Sequence, residues 1–268
     1  MSNSTSAQPN NQYSLGKILG IWAAAAVPVG ILGWMIFPAV SPDVNIDPFG
    51  AAVTRVLVIT VGLIWLFVLS MIIVYREEGD LRWNTIKRRL RLNTPRDPKT
   101  GETRGKLWLW LIPFILLYLI SVMLINPPLD GLWVRLFPFL DAPPGFDPGD
   151  LLEYPIVKEK LLGAWWFLGL WFFMSLFNTV LGEEFLFRGV LLPKMNGVFG
   201  KWDWVANGVL FALYHLNQPW AIPGYVVYAI SITLPAKRFR STWMSIIVHS
   251  TANAFFAVVF LGYILGLA

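Results

Sequence analysis

Runs of apolar residues long enough to cross a bilayer alternate with short polar segments over nearly the whole chain. They predict membrane-spanning helices at 18–40, 53–75, 107–125, 161–181, 203–217, 220–236 and 242–266, about seven in all. Pro28 and Pro223 fall inside two of these, which membrane helices tolerate when neighbours satisfy the freed backbone groups. The stretch Met1 to Ser14 is polar and rich in Asn and Ser. It reads as a disordered tail, not a cleaved signal, because no basic segment precedes an apolar run that is itself long enough to span. The predicted fold is all-α: a polytopic membrane protein with a buried hydrophilic cavity.

Three places break the apolar pattern with groups that hydrocarbon disfavours. They are Glu183-Glu184-Phe-Leu-Phe-Arg188, Phe211-Ala-Leu-Tyr-His215 and His249-Ser-Thr-Ala-Asn253. Ionisable side chains inside a membrane mark a functional site by default. Both histidines of the chain, and its one pair of adjacent glutamates in an apolar run, lie in these segments. At 1.5 Å per residue, Glu183 sits about 16 Å from an exit near Lys194, His215 roughly 20 Å from Trp202, and His249 about 12 Å from Ser241. The three therefore share one layer, nearer the cytoplasmic face, as a common wet cavity requires.

Spacing within each segment gives a reason for each residue. Glu184 and Arg188 stack one helical turn apart as an ion pair. Glu183 points about 100° away with no intrahelical partner, which leaves its carboxylate free to take and return a proton. His249 and Asn253 share a face, so imidazole N–H and carboxamide NH2 converge as donors for an oxyanion. Phe211 lies one turn before His215 and can wall off its ring; taken alone it reads as core packing. Asn207, Asn178 and Thr179 read as hydrogen-bonding links between helices.

Composition narrows the class. Of 268 residues, 56% are hydrophobic and only 14% charged, against about 25% charged in soluble domains. The net charge of +5 sits in short loops, as the positive-inside rule predicts, so no nucleic-acid partner is expected. Residues 76–106 hold ten Lys and Arg against five Asp and Glu. This segment should be a solvated cytoplasmic loop near anionic lipid. The 126–160 loop, with six acids and three bases, then lies outside, and Lys237-Arg238-Phe-Arg240 returns inside. The amino terminus is cytoplasmic on this count, in an inner or plasma membrane. Fourteen tryptophans, among them Trp108, Trp110, Trp165, Trp166, Trp202 and Trp243, fall near helix ends as an interfacial belt. With no cysteine, disulfides, thiolate nucleophiles and Cys-based metal sites are excluded.

The three blocks, in this order, resemble the E-E-x-x-x-R, F-x-x-x-H and H-x-x-x-N signature of the CAAX-protease and bacteriocin-processing (ABI) family of intramembrane peptidases. The resemblance covers roughly 161–266, a catalytic helical core, and leaves 15–160 as helices without a signature. It implies an endopeptidase acting on a membrane-associated peptide or protein. Glu183 and His215 would activate water, His249 and Asn253 would stabilise the oxyanion, and Glu184 and Arg188 would orient helices and substrate. Family members have also been described as metallopeptidases. The reading taken requires no cofactor; the alternative is a divalent metal such as Zn2+ on Glu183, His215 and His249. No H-E-x-x-H helix is present to provide a preformed zinc motif. Two other classes compete: a non-catalytic immunity or scaffold protein that binds peptides or partner helices, and a proton-coupled transporter, which the lack of paired broken helices disfavours.

Overall fold

A computed structural model describes residues 12–147, 149 and 152–267. Nine helices organise the described residues: α1 Leu15–Val40, α2 Pro48–Glu78, α4 Gly105–Leu136, α6 Trp165–Lys194 and α9 Thr242–Leu265 are the long ones. Between them come α3 Trp83–Arg89, α5 Pro155–Leu161, α7 Asp203–Leu213 and α8 Ile222–Phe239. Polar residues set the boundaries. The Ser14 hydroxyl accepts from the Lys17 amide at 3.2 Å to cap α1, and Asp47 accepts from Gly50 at 3.0 Å ahead of Pro48 to start α2. Gly79 closes α2 in the left-handed region, φ 80°, as a glycine does at little cost. Among the described residues the only β pairing is an isolated bridge between Arg96 and Thr103.

Among the described residues, five helices, not seven, are long and apolar enough to cross a membrane. The other two expected spans fold differently. α7 has 11 residues and reaches about 16 Å, half of a hydrocarbon core. α8 buries Ser231 and Thr233 and ends on Lys237 and Arg238. The two lie antiparallel as a hairpin, clasped where Asp203 at the start of α7 pairs with Lys237 at the end of α8. Its apex is pinned inside the bundle. Trp34 of α1 donates to the Leu216 carbonyl at 2.7 Å, Arg55 of α2 to the Asn217 carbonyl at 3.2 Å, and Trp133 of α4 to the Pro219 carbonyl at 3.1 Å. Apart from Leu213, Leu216 and Ile230, which are exposed, the apolar residues of this hairpin are buried or half-buried in the bundle, a distinction that a hydropathy window does not register.

The basic segment differs from a solvated loop. Leu90 and Leu92 are buried, and Arg89 is almost so. The Arg89 guanidinium bonds Glu77 at 2.9 Å, the Tyr13 hydroxyl at 2.9 Å and the Gly189 carbonyl at 3.0 Å. Arg96 donates its amide to the Phe239 carbonyl at 2.8 Å, and the Thr242 amide donates to the Arg91 carbonyl at 3.0 Å. The segment is a plug under α2, α6, α8 and α9, with only part of its charge turned outward. The tail likewise ends earlier than expected. Residues 1–11 lie outside the described residues, while Tyr13 is buried and donates its amide to the Lys194 carbonyl at 2.9 Å. Packing runs across the expected boundary near 160. One buried cluster joins Ile18 and Leu66 to Phe187, Phe211 and Val248.

Candidate active site

The Glu183-Glu184 pair interrupts two π-helical stretches of α6, Phe177–Gly182 and Phe185–Leu191. Widened turns of this kind are frequent at functional sites. Gly182 explains how α2 comes so near. A Cβ there would lie 2.4 Å from the Phe177 carbonyl oxygen and 2.8 Å from that of Leu63 in α2, so the close approach requires glycine.

The two glutamates face different partners. Glu184 is fully buried and accepts from Arg188 Nη1 at 3.1 Å and from His249 Nδ1 at 2.9 Å. Arg188 also donates to Thr233 of α8 at 3.0 Å, and its guanidinium lies 4.1 Å from the centre of the Phe211 ring. Four helices are thus tied through one buried charge pair. Breaking such a pair leaves a charge stranded, at a cost of about 3–5 kcal/mol.

Glu183 is 2% exposed and lies between the imidazoles. Its Oε1 is 3.8 Å from His215 Nε2, and its Oε2 is 3.7 Å from His249 Nε2. Oε1 accepts from the Tyr214 hydroxyl, whereas Oε2 has no hydrogen-bond partner. A buried polar atom without a partner calls for an occupant such as water. The carboxylate does not face lipid, and it is within reach of His215.

Hydrogen bonds on the far side of each ring set which nitrogen is available. His215 Nδ1 meets the Phe211 carbonyl at 2.9 Å. A carbonyl only accepts, so Nδ1 carries the proton and the neutral ring turns its Nε2 lone pair towards Glu183. His249 Nδ1 donates to Glu184 in the same sense. The expected oxyanion donor is therefore more constrained than spacing alone suggests: the N–H of a neutral His249 is already committed to Glu184. Only the imidazolium offers a second N–H, at Nε2. Phe211 packs edge-on against both rings, with centroids 5.0 Å from His215 and 5.8 Å from His249.

The cluster borders a cavity of about 280 Å³ lined by Glu183, His215, His249, Asn253, Tyr118 and Tyr228, among others. Asn253 reaches it but makes no hydrogen bond to His249. Its carboxamide donates to Asn178 at 2.9 Å, which leaves its second N–H uncommitted. Thr179 shares a hydrogen bond of 2.8 Å with Ser250, and Asn207 donates to the Phe187 carbonyl at 2.8 Å; all three link helices. Sequence reasoning missed Tyr214, although a hydroxyl beside His215 in an apolar helix was a usable signal. Tyr118 and Tyr228 carried no such signal, because they reach His249 from helices outside the three blocks.

Among the described residues no group of three His, Cys, Asp or Glu side chains has the spacing of a ready-made metal cluster. The separations around Glu183 are longer than hydrogen bonds, yet its oxygens and the two Nε2 atoms converge. The unpartnered Oε2 and the tautomers set by Phe211 and Glu184 all point to the same place.

The class defined by fold and site is a helical membrane protein with a carboxylate–imidazole cluster lining an internal cavity. Residues 164–255, which contain all three blocks, match the family described as type II CAAX prenyl endopeptidase Rce1-like. That portion, about a third of the chain, is similar to this protease family. No curated protein and no solved structure matches the chain.

Proposed function

We propose that the protein is an intramembrane endopeptidase that hydrolyses a peptide bond of a membrane-associated protein or peptide. The observation that carries the proposal is the position of Glu183, whose carboxylate lines a cavity between two imidazole Nε2 atoms and leaves Oε2, on the His249 side, without a partner. A water held by Glu183 and the His215 lone pair would lose its proton to the carboxylate as its oxygen attacks the substrate carbonyl. His249 as imidazolium, through Nε2–H, and the second amide N–H of Asn253 would stabilise the developing oxyanion. Glu183 would then return the proton to the departing amine. Glu184 and Arg188 hold His249 and the helices in register, and Phe211 fixes both rings.

In this reading no cofactor is required. Glu183, His215 and His249 also suit a divalent metal such as Zn2+, since two imidazoles and a carboxylate form a common three-ligand set. When bound, such an ion would supply Lewis-acid activation of water and carbonyl. Elemental analysis of purified protein, with activity followed after chelation, separates the two. Unchanged cleavage in metal-free protein is expected; loss on chelation with recovery on adding Zn2+ would favour the alternative.

The basic plug faces the cytoplasm in this proposal, against anionic lipid, and the 126–160 segment faces outward. The activity is tested by comparing peptide termini in membranes of cells carrying the wild type, Glu183→Gln or His215→Ala. Both variants should insert normally and leave the same peptides uncut. Products unchanged in both would refute the proposal.

A further inference from the structure

A second cavity, of about 290 Å³, adjoins the first and shares with it Ile59, Asn178, Gln218, Tyr225, Asn253 and Phe256. Its other walls are mostly aromatic and aliphatic, including Phe49, Phe167, Trp171 and Phe260, and one cation lines it: Arg55 of α2. The Arg55 side chain is 1% exposed. Its guanidinium makes one hydrogen bond, from Nη2 to the Asn217 carbonyl, while Nε and Nη1 have no partner. Phe37 and Phe146 lie beside it, with ring centres 4.9 and 5.5 Å away. Asp147, an acid of the adjoining segment, accepts from the Trp220 indole at 3.0 Å. Among the described residues no carboxylate is within ion-pairing distance of Arg55.

A buried cation with uncommitted donors is costly unless an anion joins it. Phe and carbonyl contacts offset part of this cost, but they leave the charge unneutralised. We propose that Arg55 receives a carboxylate of the peptide substrate, with the apolar cavity around it taking the neighbouring side chains. Two facts connect this subsite to the reaction centre. Asn217, which holds Arg55, lines the catalytic cavity, and Tyr225, common to both cavities, packs its ring 4.3 Å from that of His215. The inference rests on the peptidase reading for the identity of the ligand but not for the site itself.

The carboxylate could be the substrate's free carboxyl terminus or an acidic side chain, and binding measurements distinguish them. The probes are three dansylated apolar tetrapeptides: one with a free carboxyl terminus, one amidated, and one amidated with an interior glutamate. They are titrated onto full-length protein in nanodiscs, carried on the Glu183→Gln background so that no cleavage intervenes. One carboxylate-bearing peptide should bind about tenfold or more tighter than the plain amide, in line with a charge-assisted hydrogen bond. Which of the two gains identifies the source. Arg55→Gln should abolish the difference and Arg55→Lys retain part of it, each at a melting temperature checked in parallel. The free-versus-amidated comparison needs no Arg55 variant, so misfolding of a variant does not obscure it. Equal binding of all three peptides, or none by any, overturns the proposal. A preserved difference alongside a wild type that cuts nothing would leave the subsite standing and remove only the peptidase reading.

Discussion

Three atoms decide what Glu183 can do: His215 Nε2 on one side, His249 Nε2 on the other, and the Tyr214 hydroxyl above Oε1. The tautomers follow from the Phe211 carbonyl and the Glu184 carboxylate. Because the chain has only two histidines, 15N-histidine labelling gives a spectrum with two rings to assign. A protonated Nδ1 and a bare Nε2 on His215 are expected in metal-free protein. A protonated Nε2 with a bare Nδ1 would contradict the geometry. At this scale the sequence was informative about residue types and less so about direction. The E-E-x-x-x-R spacing disclosed the Glu184–Arg188 pair, because an i,i+4 contact is local. That His249 leans on Glu184 was not legible, since it depends on how α6 and α9 meet.

Among elements, α6 and the α7–α8 hairpin carry the site, and each has a critical small or charged residue. Gly182→Ala would drive a methyl group into the Phe177 and Leu63 carbonyls. Backbone must shift, so a loss of about 1–3 kcal/mol is expected, together with a larger loss of cleavage as Glu183 moves. Thermal melting and activity on one preparation check this; a silent substitution on both counts would mean that α2 and α6 are not so closely apposed. The hairpin depends on the Asp203–Lys237 clasp, with Asp203 fully buried and Lys237 partly exposed. Lys237→Met should strand the acid and destabilise the protein by about 3 kcal/mol, the low end for a broken buried pair, whereas the double change Asp203→Asn with Lys237→Met should recover part of the loss. No recovery would show that the pair does not hold the hairpin. The long helices were legible from hydropathy because lipid-facing surface must be apolar along its length. The hairpin was not, because Gly208 against Ala229 and Arg188 with Thr233 place its apolar and polar residues against protein.

For the molecule as a whole, residues of α1, α2, α4, α6, α8 and α9 wall the cavity beside Glu183, and the plug docks against α6, α8 and α9. The 76–106 charges suggested which end they mark but gave no sign of docking. Arg89 binds carbonyls of α6, far away in sequence, and no local spacing encodes that. The same layout sets Glu183 in the wall of a cavity of about 280 Å³. The central claim is that this carboxylate performs hydrolysis. It is tested most directly by purified protein in proteoliposomes, given membrane peptides found uncut in cells with Glu183→Gln. The account predicts single-turnover cleavage by the wild type and a rate at least a hundredfold lower for Glu183→Gln at the same melting temperature, on the scale of losing a general base. Equal rates for the two proteins would contradict it.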